Sequence, residues 1–229
     1  DEPGAERMAV SRVLHVTEPT QRFTFAGIKA RPVVSLLRGF SAPVRLDAEQ
    51  SPEDLAFLMA HDSDPFARWE AAQRYATAMM LRMVETHRRG KTPEADGQFV
   101  DALGTMLKTA ADDPAFSAEM LSLPSESYIA DQMVEIDPDA IFAAREAVRQ
   151  AIADQLAGPL AELHGAMATD GPYSPDAEQA GRRRLRNAAL AYLAMSGDER
   201  WMQAVIAQAN QADNMTDRMA GLVVLNDID

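Results

Sequence analysis

The fold is decided by the stretch between Asp137 and Leu156, which reads DPDAIFAAREAVRQAIADQL. Its apolar residues recur every three or four positions, at Ile141, Ala144, Val148, Ile152 and Leu156. This spacing aligns them on one face of an α-helix. The stretch therefore predicts a long amphipathic helix with a buried face. The Gly-Pro pair at 158–159 predicts an end or a kink, although Leu160 continues the apolar phase.

Pairs of Ser or Asp with a following proline predict the starts of five helices. The short side chain accepts a hydrogen bond from a free backbone N–H, and proline suits the first helical position. These pairs are Ser51-Pro52, Asp64-Pro65, Asp113-Pro114, Asp137-Pro138 and Ser174-Pro175. The helix after Asp64 also has an apolar period of three to four residues. Shorter helices are predicted near 52–61, 97–110, 114–122, 125–134, 176–195, 198–209 and 214–225.

The first 46 residues differ in amino-acid composition from the rest of the chain. They are rich in Val, Phe, Thr and Arg, and predict short strands at 10–16, 22–25, 33–37 and 42–46. The charges of residues 1–50 nearly balance, whereas the acidic excess of the chain lies beyond residue 50. Because residue type and charge change together near 47–51, we expect a small β portion at 1–46 and a helical domain at 47–229.

The composition of the 229 residues excludes several classes of protein. The chain has no cysteine, which rules out disulfides, thiol catalysis and thiolate metal sites. Its net charge of −13 disfavours nucleic acid and anionic membranes as partners. No apolar run approaches the roughly 20 residues of a membrane-spanning helix. The first residues show no signal peptide and no initiator Met, so we expect a cytoplasmic protein and a piece of a longer chain.

Catalytic motifs are missing from the sequence. The four histidines contain no i, i+4 pair and no His-Glu-x-x-His motif. The sequence also lacks a Gly-x-Ser-x-Gly elbow and a glycine-rich phosphate loop. We therefore predict no catalytic residue and no metal ligand, and interpret each histidine as structural.

The run RRRLR at 182–186 is the sharpest local feature. One interpretation is a solvated helix face with ion pairs, in which Glu178, Arg182 and Arg186 form an i, i+4 column. The other is that one arginine meets a carboxylate of a ligand or of a partner domain. The acidic surroundings, without interleaved aromatic residues, argue against nucleic acid. Of the thirteen methionines, Met79, Met80 and Met83 are predicted to fill the core.

Several conspicuous segments follow one another along the chain. They are LHVTE at 14–18, RPVVSLLRGFSAPVRL at 31–46, LMAHD at 58–62, DPFARWEAAQ at 64–73, LSLPS at 121–125, IDP at 136–138, LRNA at 185–188 and ADNMTD at 212–217. In this order they resemble the C-terminal region of bacterial aminopeptidase N, a zinc metallopeptidase family. The resemblance implies that 1–46 end a β-sandwich domain and that 47–229 begin an irregular helical superhelix of armadillo or HEAT type.

The resemblance also implies a function. The parent enzyme would remove N-terminal amino acids from peptides, with its zinc and its glutamate base in an upstream domain. The present chain would be a non-catalytic scaffold, inactive alone, that packs on the catalytic domain, closes over the active-site chamber and limits the access of peptides.

Three residues are expected to bind substrate on the same ground. Arg186 is the candidate for contacting the peptide beyond its first residue, through a carboxylate, and Asn187 and Asn214 are further candidates. The alternative function is a free-standing helical interaction module without enzymatic activity. A His-Glu-x-x-His motif encoded upstream of Asp1 would distinguish the enzyme from this module.

Overall fold

The computed structural model describes residues 11–44, 46–169 and 171–227. The chain divides into two compact units, the first ending at Pro32 and the second beginning at Val33. In the first unit, the backbone bends at 18–20, where the sequence has a Pro turn, and the Thr17 N–H donates a 2.9 Å hydrogen bond to Gln21 Oε1.

The predicted strands differ from the structure. Within 11–44 no residue is assigned to a strand, and Val10 and Arg45, at the ends of two predicted strands, lie outside the described residues. A strand is defined by ladder hydrogen bonds to a neighbour, and the described residues here offer no such partner. Residues 38–40 form a single 3₁₀ turn instead, flanked by left-handed backbone at Leu37 with φ 53°.

The second unit is built from helices. In the described residues they are α1 Pro52–His61, α2 Pro65–Arg88, α3 Gly97–Leu107, α4 Pro114–Met120, α5 Glu126–Ala130, α6 Pro138–Ala166, α7 Ala177–Ala194, α8 Glu199–Gln211 and α9 Met215–Asp227. Helices adjacent in sequence pack together in the pairs α1 with α2, α6 with α7 and α8 with α9. None of these helices combines the length and the hydropathy needed to cross a membrane.

Four of the five predicted helix starts are confirmed. The side chains of Ser51, Asp64, Asp113 and Asp137 each accept a hydrogen bond from the backbone N–H three residues on. The fifth prediction was wrong in its cap: α7 begins after Asp176, whose carboxylate accepts from Gln179 N, while Ser174 lies before the helix. Ser174 Oγ instead accepts a 3.4 Å hydrogen bond from Asp176 N.

Helix α6 does not end at the Gly-Pro pair. It continues through Pro159 to Ala166, although proline removes one backbone donor. Leu156, Leu160 and Leu163 are all buried on the face that the periodicity defines. Burial of this apolar face offsets the lost hydrogen bond, since each buried leucine contributes about 1.5–3 kcal/mol.

One apolar core joins α1 to α7, and a smaller cluster joins the last three helices. Met79, Met80 and Met83 lie in the first core with at most 4% exposure, as predicted. The smaller cluster consists of Leu190, Ala194, Val205 and Val224. It holds α8 and α9 against the C-terminal half of α7, and this arrangement leaves a cavity beside the N-terminal half of α7.

A short strap crosses the start of α2. Asp64 caps α2 with Oδ1 and accepts a 3.0 Å hydrogen bond from Gly39 N with Oδ2. Arg38 forms an ion pair with Asp62, and the ring of Phe40 meets that of Phe66 edge-on at 5.2 Å. These contacts hold Gly39 and Phe40, whose φ angles are 62° and 53°, against the start of α2.

Candidate functional site

The candidate site is a cavity of about 460 Å³ between α6, α7, α8 and the start of α9. Its volume lies in the range of pockets that hold small ligands. The wall contains aromatic, amide and charged side chains together with three alanines. It is formed by His164, Thr169, Gly171, Tyr173, Gln179, Arg183, Arg186, Ala204, Ala207, Gln208, Gln211, Ala212, Asp213, Asn214 and Asp217.

The structure brings the three predicted site residues together. Arg186 and Asn214 line the cavity, and Asn187 lies next to Arg186 on α7 and binds Asp217 of the wall. Arg186 Nε is buried without a hydrogen-bond partner. Among the described residues no carboxylate forms an ion pair with Arg186.

Both asparagines are engaged in bonds that hold the wall together. Asn187 Nδ2 donates to Asp217 Oδ1 at 2.8 Å, and Asn187 Oδ1 accepts from Gln208 Nε2 at 2.9 Å. Asn214 Nδ2 donates to Asp213 and Asp217, and Asn214 Oδ1 accepts from Asp217 N, which caps α9. The network therefore ties α7, α8 and α9 together, while Arg186 keeps spare donors.

The four arginines at 182–186 differ in their contacts: two bind neighbouring parts of the chain, and two line the cavity. Arg182 donates to the carbonyls of Ala166 and Ala168 at the C-terminal end of α6, at 2.6 and 3.0 Å. Arg184 forms a 2.5 Å ion pair with Glu119 on α4. The other two, Arg183 and Arg186, face the cavity. Among the described residues neither Arg182 nor Arg186 forms an ion pair with Glu178, so the predicted i, i+4 column is not an ion-paired one.

Arg183 is a cavity residue that sequence reasoning missed. It is only 6% exposed, and its guanidinium lies 4.6 Å from the centre of the Tyr173 ring. Its Nη1 donates a long 3.5 Å hydrogen bond to Gln179 Oε1, and Nε has no partner. Tyr173 lies in a loop ten residues earlier, so no helical spacing could indicate this cation–π contact.

His164 completes the basic side of the cavity. Burial, and after it the positive charge of Arg186, lowers the pKa of His164 from 6.5 to about 4. The ring is therefore neutral at pH 7. It packs edge-on against Trp201 at 5.3 Å, and Nε2 has no hydrogen-bond partner.

The cavity wall carries several hydrogen-bond donors. The cavity offers guanidinium and imidazole nitrogens, but the residues around them include no serine or cysteine nucleophile. Across the described ranges no three His, Asp or Glu side chains come together in a way that could hold a metal ion.

Family models match both parts of the chain. A family described as a domain of unknown function with ARM repeats, DUF3458_C, matches residues 52–229. A second, DUF3458, described as having an Ig-like fold, matches residues 1–49. The predicted fold class, a helical superhelix of armadillo type after a small β-sandwich portion, is thereby confirmed.

Curated relatives and a solved structure agree with the family models. Aminopeptidase N of Caulobacter vibrioides is 41% identical over 83% of this chain, and that of Escherichia coli is 37% identical over 93%. The chain spans 22% and 24% of those two proteins, under a quarter of their length. The structure of Legionella pneumophila aminopeptidase A in complex with aspartic acid matches 90% of this chain and 25% of its own, with 29% identity and a TM-score of 0.76. The resemblance to bacterial aminopeptidase N is confirmed.

Proposed function

Because the chain belongs to the DUF3458_C family of ARM-repeat domains, we propose that it forms the non-catalytic scaffold of a peptide-cleaving aminopeptidase. Its relatives carry the name aminopeptidase N, and identities of 34–41% extend over most of this chain. In this proposal residues 1–46 end a β-sandwich domain, residues 47–229 belong to the helical superhelix, and the enzyme is cytoplasmic.

The reacting groups are assigned to another part of the enzyme. Aminopeptidases of this family use zinc, and the described residues of this chain do not fit a zinc site, because no cluster of three ligating side chains exists there. We therefore derive no chemical step from this chain. Its role is to wall the chamber, to limit which peptides enter and to contact the part of the peptide that lies away from the scissile bond.

Arg186 is the residue proposed to contact the peptide. The observation that carries this role is its combination of a cavity position with an unpaired buried Nε. A buried N–H without an acceptor is costly, so an incoming acceptor binds strongly to it. Asn187 and Asn214 contribute indirectly in this proposal, because their bonds to Asp217 hold α7 and α9 in place around Arg186.

Steady-state kinetics of the full-length enzyme test this role. Arg186→Ala should raise the KM for tripeptides by about tenfold and leave the KM for aminoacyl anilides almost unchanged, because only a peptide reaches beyond the first subsite. Arg184→Ala is the matched control, since Arg184 lies on the same helix but forms an ion pair with Glu119 outside the cavity.

Two results would oppose the proposal. Equal effects of Arg186→Ala on peptides and anilides would remove Arg186 from the binding role. Turnover of aminoacyl anilides by the isolated 229-residue chain with added zinc would place the chemistry in the chain itself and would contradict the scaffold function.

A further inference from the structure

Three buried nitrogens without a hydrogen-bond partner belong to residues that line the cavity. His164 Nε2, Arg183 Nε and Arg186 Nε are three of the four buried side-chain atoms without a partner in the described part of the chain. All three residues line the same cavity, and Arg183 and Arg186 lie one turn apart on α7. A folded protein rarely leaves several buried donors unsatisfied in one place, so the concentration points to a missing acceptor.

Arg183 is held in place before any ligand arrives. Its guanidinium lies 4.6 Å from the centre of the Tyr173 ring, and Arg183 is only 6% exposed. Its remaining contact with Gln179 is long, at 3.5 Å, so most of its donors are uncommitted. A preorganised guanidinium loses little conformational entropy when it binds an acceptor.

The two aspartates of the cavity wall already accept hydrogen bonds from side chains of this chain. Asp217 accepts from Asn187 with one oxygen and from Asn214 with the other. Asp213 accepts from Asn214 through Oδ1. Neither aspartate forms an ion pair with Arg183 or Arg186. The two guanidinium groups therefore remain available to an acceptor that enters from outside.

We propose that Arg183 and Arg186 form a binding site for the carboxyl group of a peptide, with the imidazole of His164 beside it. Guanidinium groups match a carboxylate in charge and in planar geometry. A cavity of about 460 Å³ has room for the terminal residues that carry this group. Only the source of the carboxylate, a peptide, rests on the proposed function. The site itself belongs to this chain and can be tested without the enzyme.

The test is calorimetric titration of the 229-residue chain at about pH 7 with N-acetyl-dialanine and with its C-terminal amide. Acetate and inorganic phosphate are the further probes. The acid should bind with a Kd of about 1 mM and the amide at least tenfold more weakly. Arg183→Gln and Arg186→Gln should each weaken the acid at least tenfold, while the control Arg184→Gln should change it less than twofold. Circular dichroism of each variant confirms its fold, and if Arg183→Gln unfolds, Arg186→Gln decides.

A second measurement observes the site directly. Bound carboxylate partly neutralises Arg186, so the proton NMR titration of the His164 ring should move to higher pH when the acid is present. Equal binding of acid and amide, absence of acid binding, or an equal loss in Arg184→Gln would each overturn the site. If phosphate or acetate bound as tightly as N-acetyl-dialanine, the claim that the bound carboxylate comes from a peptide would be overturned. If the chain bound N-acetyl-dialanine but the peptide kinetics did not respond to Arg186→Ala, only the proposed function would be overturned.

Discussion

Acidification should destabilise this chain through His164, and the size of the effect follows from the structure. The pKa of His164 is lowered from 6.5 to about 4, first by burial and then by Arg186. Between these values the unfolded state binds more protons than the folded state, so stability falls as the pH falls. From about pH 7 to about pH 5 the full shift corresponds to about 2 kcal/mol. Because the ring is partly exposed, solvent screening reduces this to about 1 kcal/mol.

The assay is urea unfolding at several pH values of the unmodified chain and of His164→Gln. Glutamine cannot take up a proton, so the variant should lose about 1 kcal/mol less between about pH 7 and about pH 5. Carboxylates titrate in both proteins, and the difference between the two curves cancels their contribution.

A second variant separates the two causes of the shift. Arg186→Gln removes the neighbouring positive charge, so its pH dependence should lie between those of the unmodified chain and His164→Gln. If the stability of the unmodified chain and of His164→Gln changed identically with pH, the reasoning would be refuted. That result would mean that folding does not lower the pKa of His164.

Two further predictions concern packing and capping. Gly221→Ala places a methyl group 2.9 Å from a backbone nitrogen of α8 and should lower the free energy of unfolding in urea by about 1–3 kcal/mol. The methyl group of Gly104→Ala meets only a movable leucine side chain, so this variant should lose less stability. Equal losses in the two variants would contradict this packing. Asp64→Ala removes both the cap of α2 and the acceptor of Gly39 N, so it should cost about 1–3 kcal/mol, against about 1 kcal/mol for Asp113→Ala, which removes a cap alone. A smaller loss for Asp64→Ala would show that the strap contributes nothing.

The helices could be predicted from the sequence because their signals are local. A cap side chain accepts a hydrogen bond from a backbone N–H three residues on, and an apolar face repeats every three or four residues. The cap of α3 was missed because Asp96 precedes a glycine rather than a proline, although its side chain accepts from Gln98 N in the usual way. An end or a kink was predicted at 158–159, and the helix does not end there, because burial of Leu160 outweighs one missing donor.

The strands are a different case, because a strand depends on its neighbour. The β-branched runs before residue 47 match an Ig-like family over residues 1–49, yet the described residues there contain no ladder. Sequence preference indicates that a segment suits a sheet, and hydrogen bonds to a second strand must complete it.

The candidate site was only partly readable for a similar reason. Arg186 was identified through its segment of the family resemblance, and the structure places it in the cavity. Arg183 was missed because its distinguishing contacts, burial and the Tyr173 ring, arise from tertiary packing. The bonds from Asn187 to Asp217 and Gln208 join three helices, and such pairs have no fixed spacing in sequence.

A structure of the full-length enzyme with a non-hydrolysable tripeptide bound tests the central claim most directly. The account predicts that the metal and the scissile bond are held by residues outside this chain, while the guanidinium of Arg186 lies within hydrogen-bond distance of the peptide beyond its first residue. A metal ligand supplied by residues 1–229, or a cavity that opens to solvent away from the bound peptide, would contradict it.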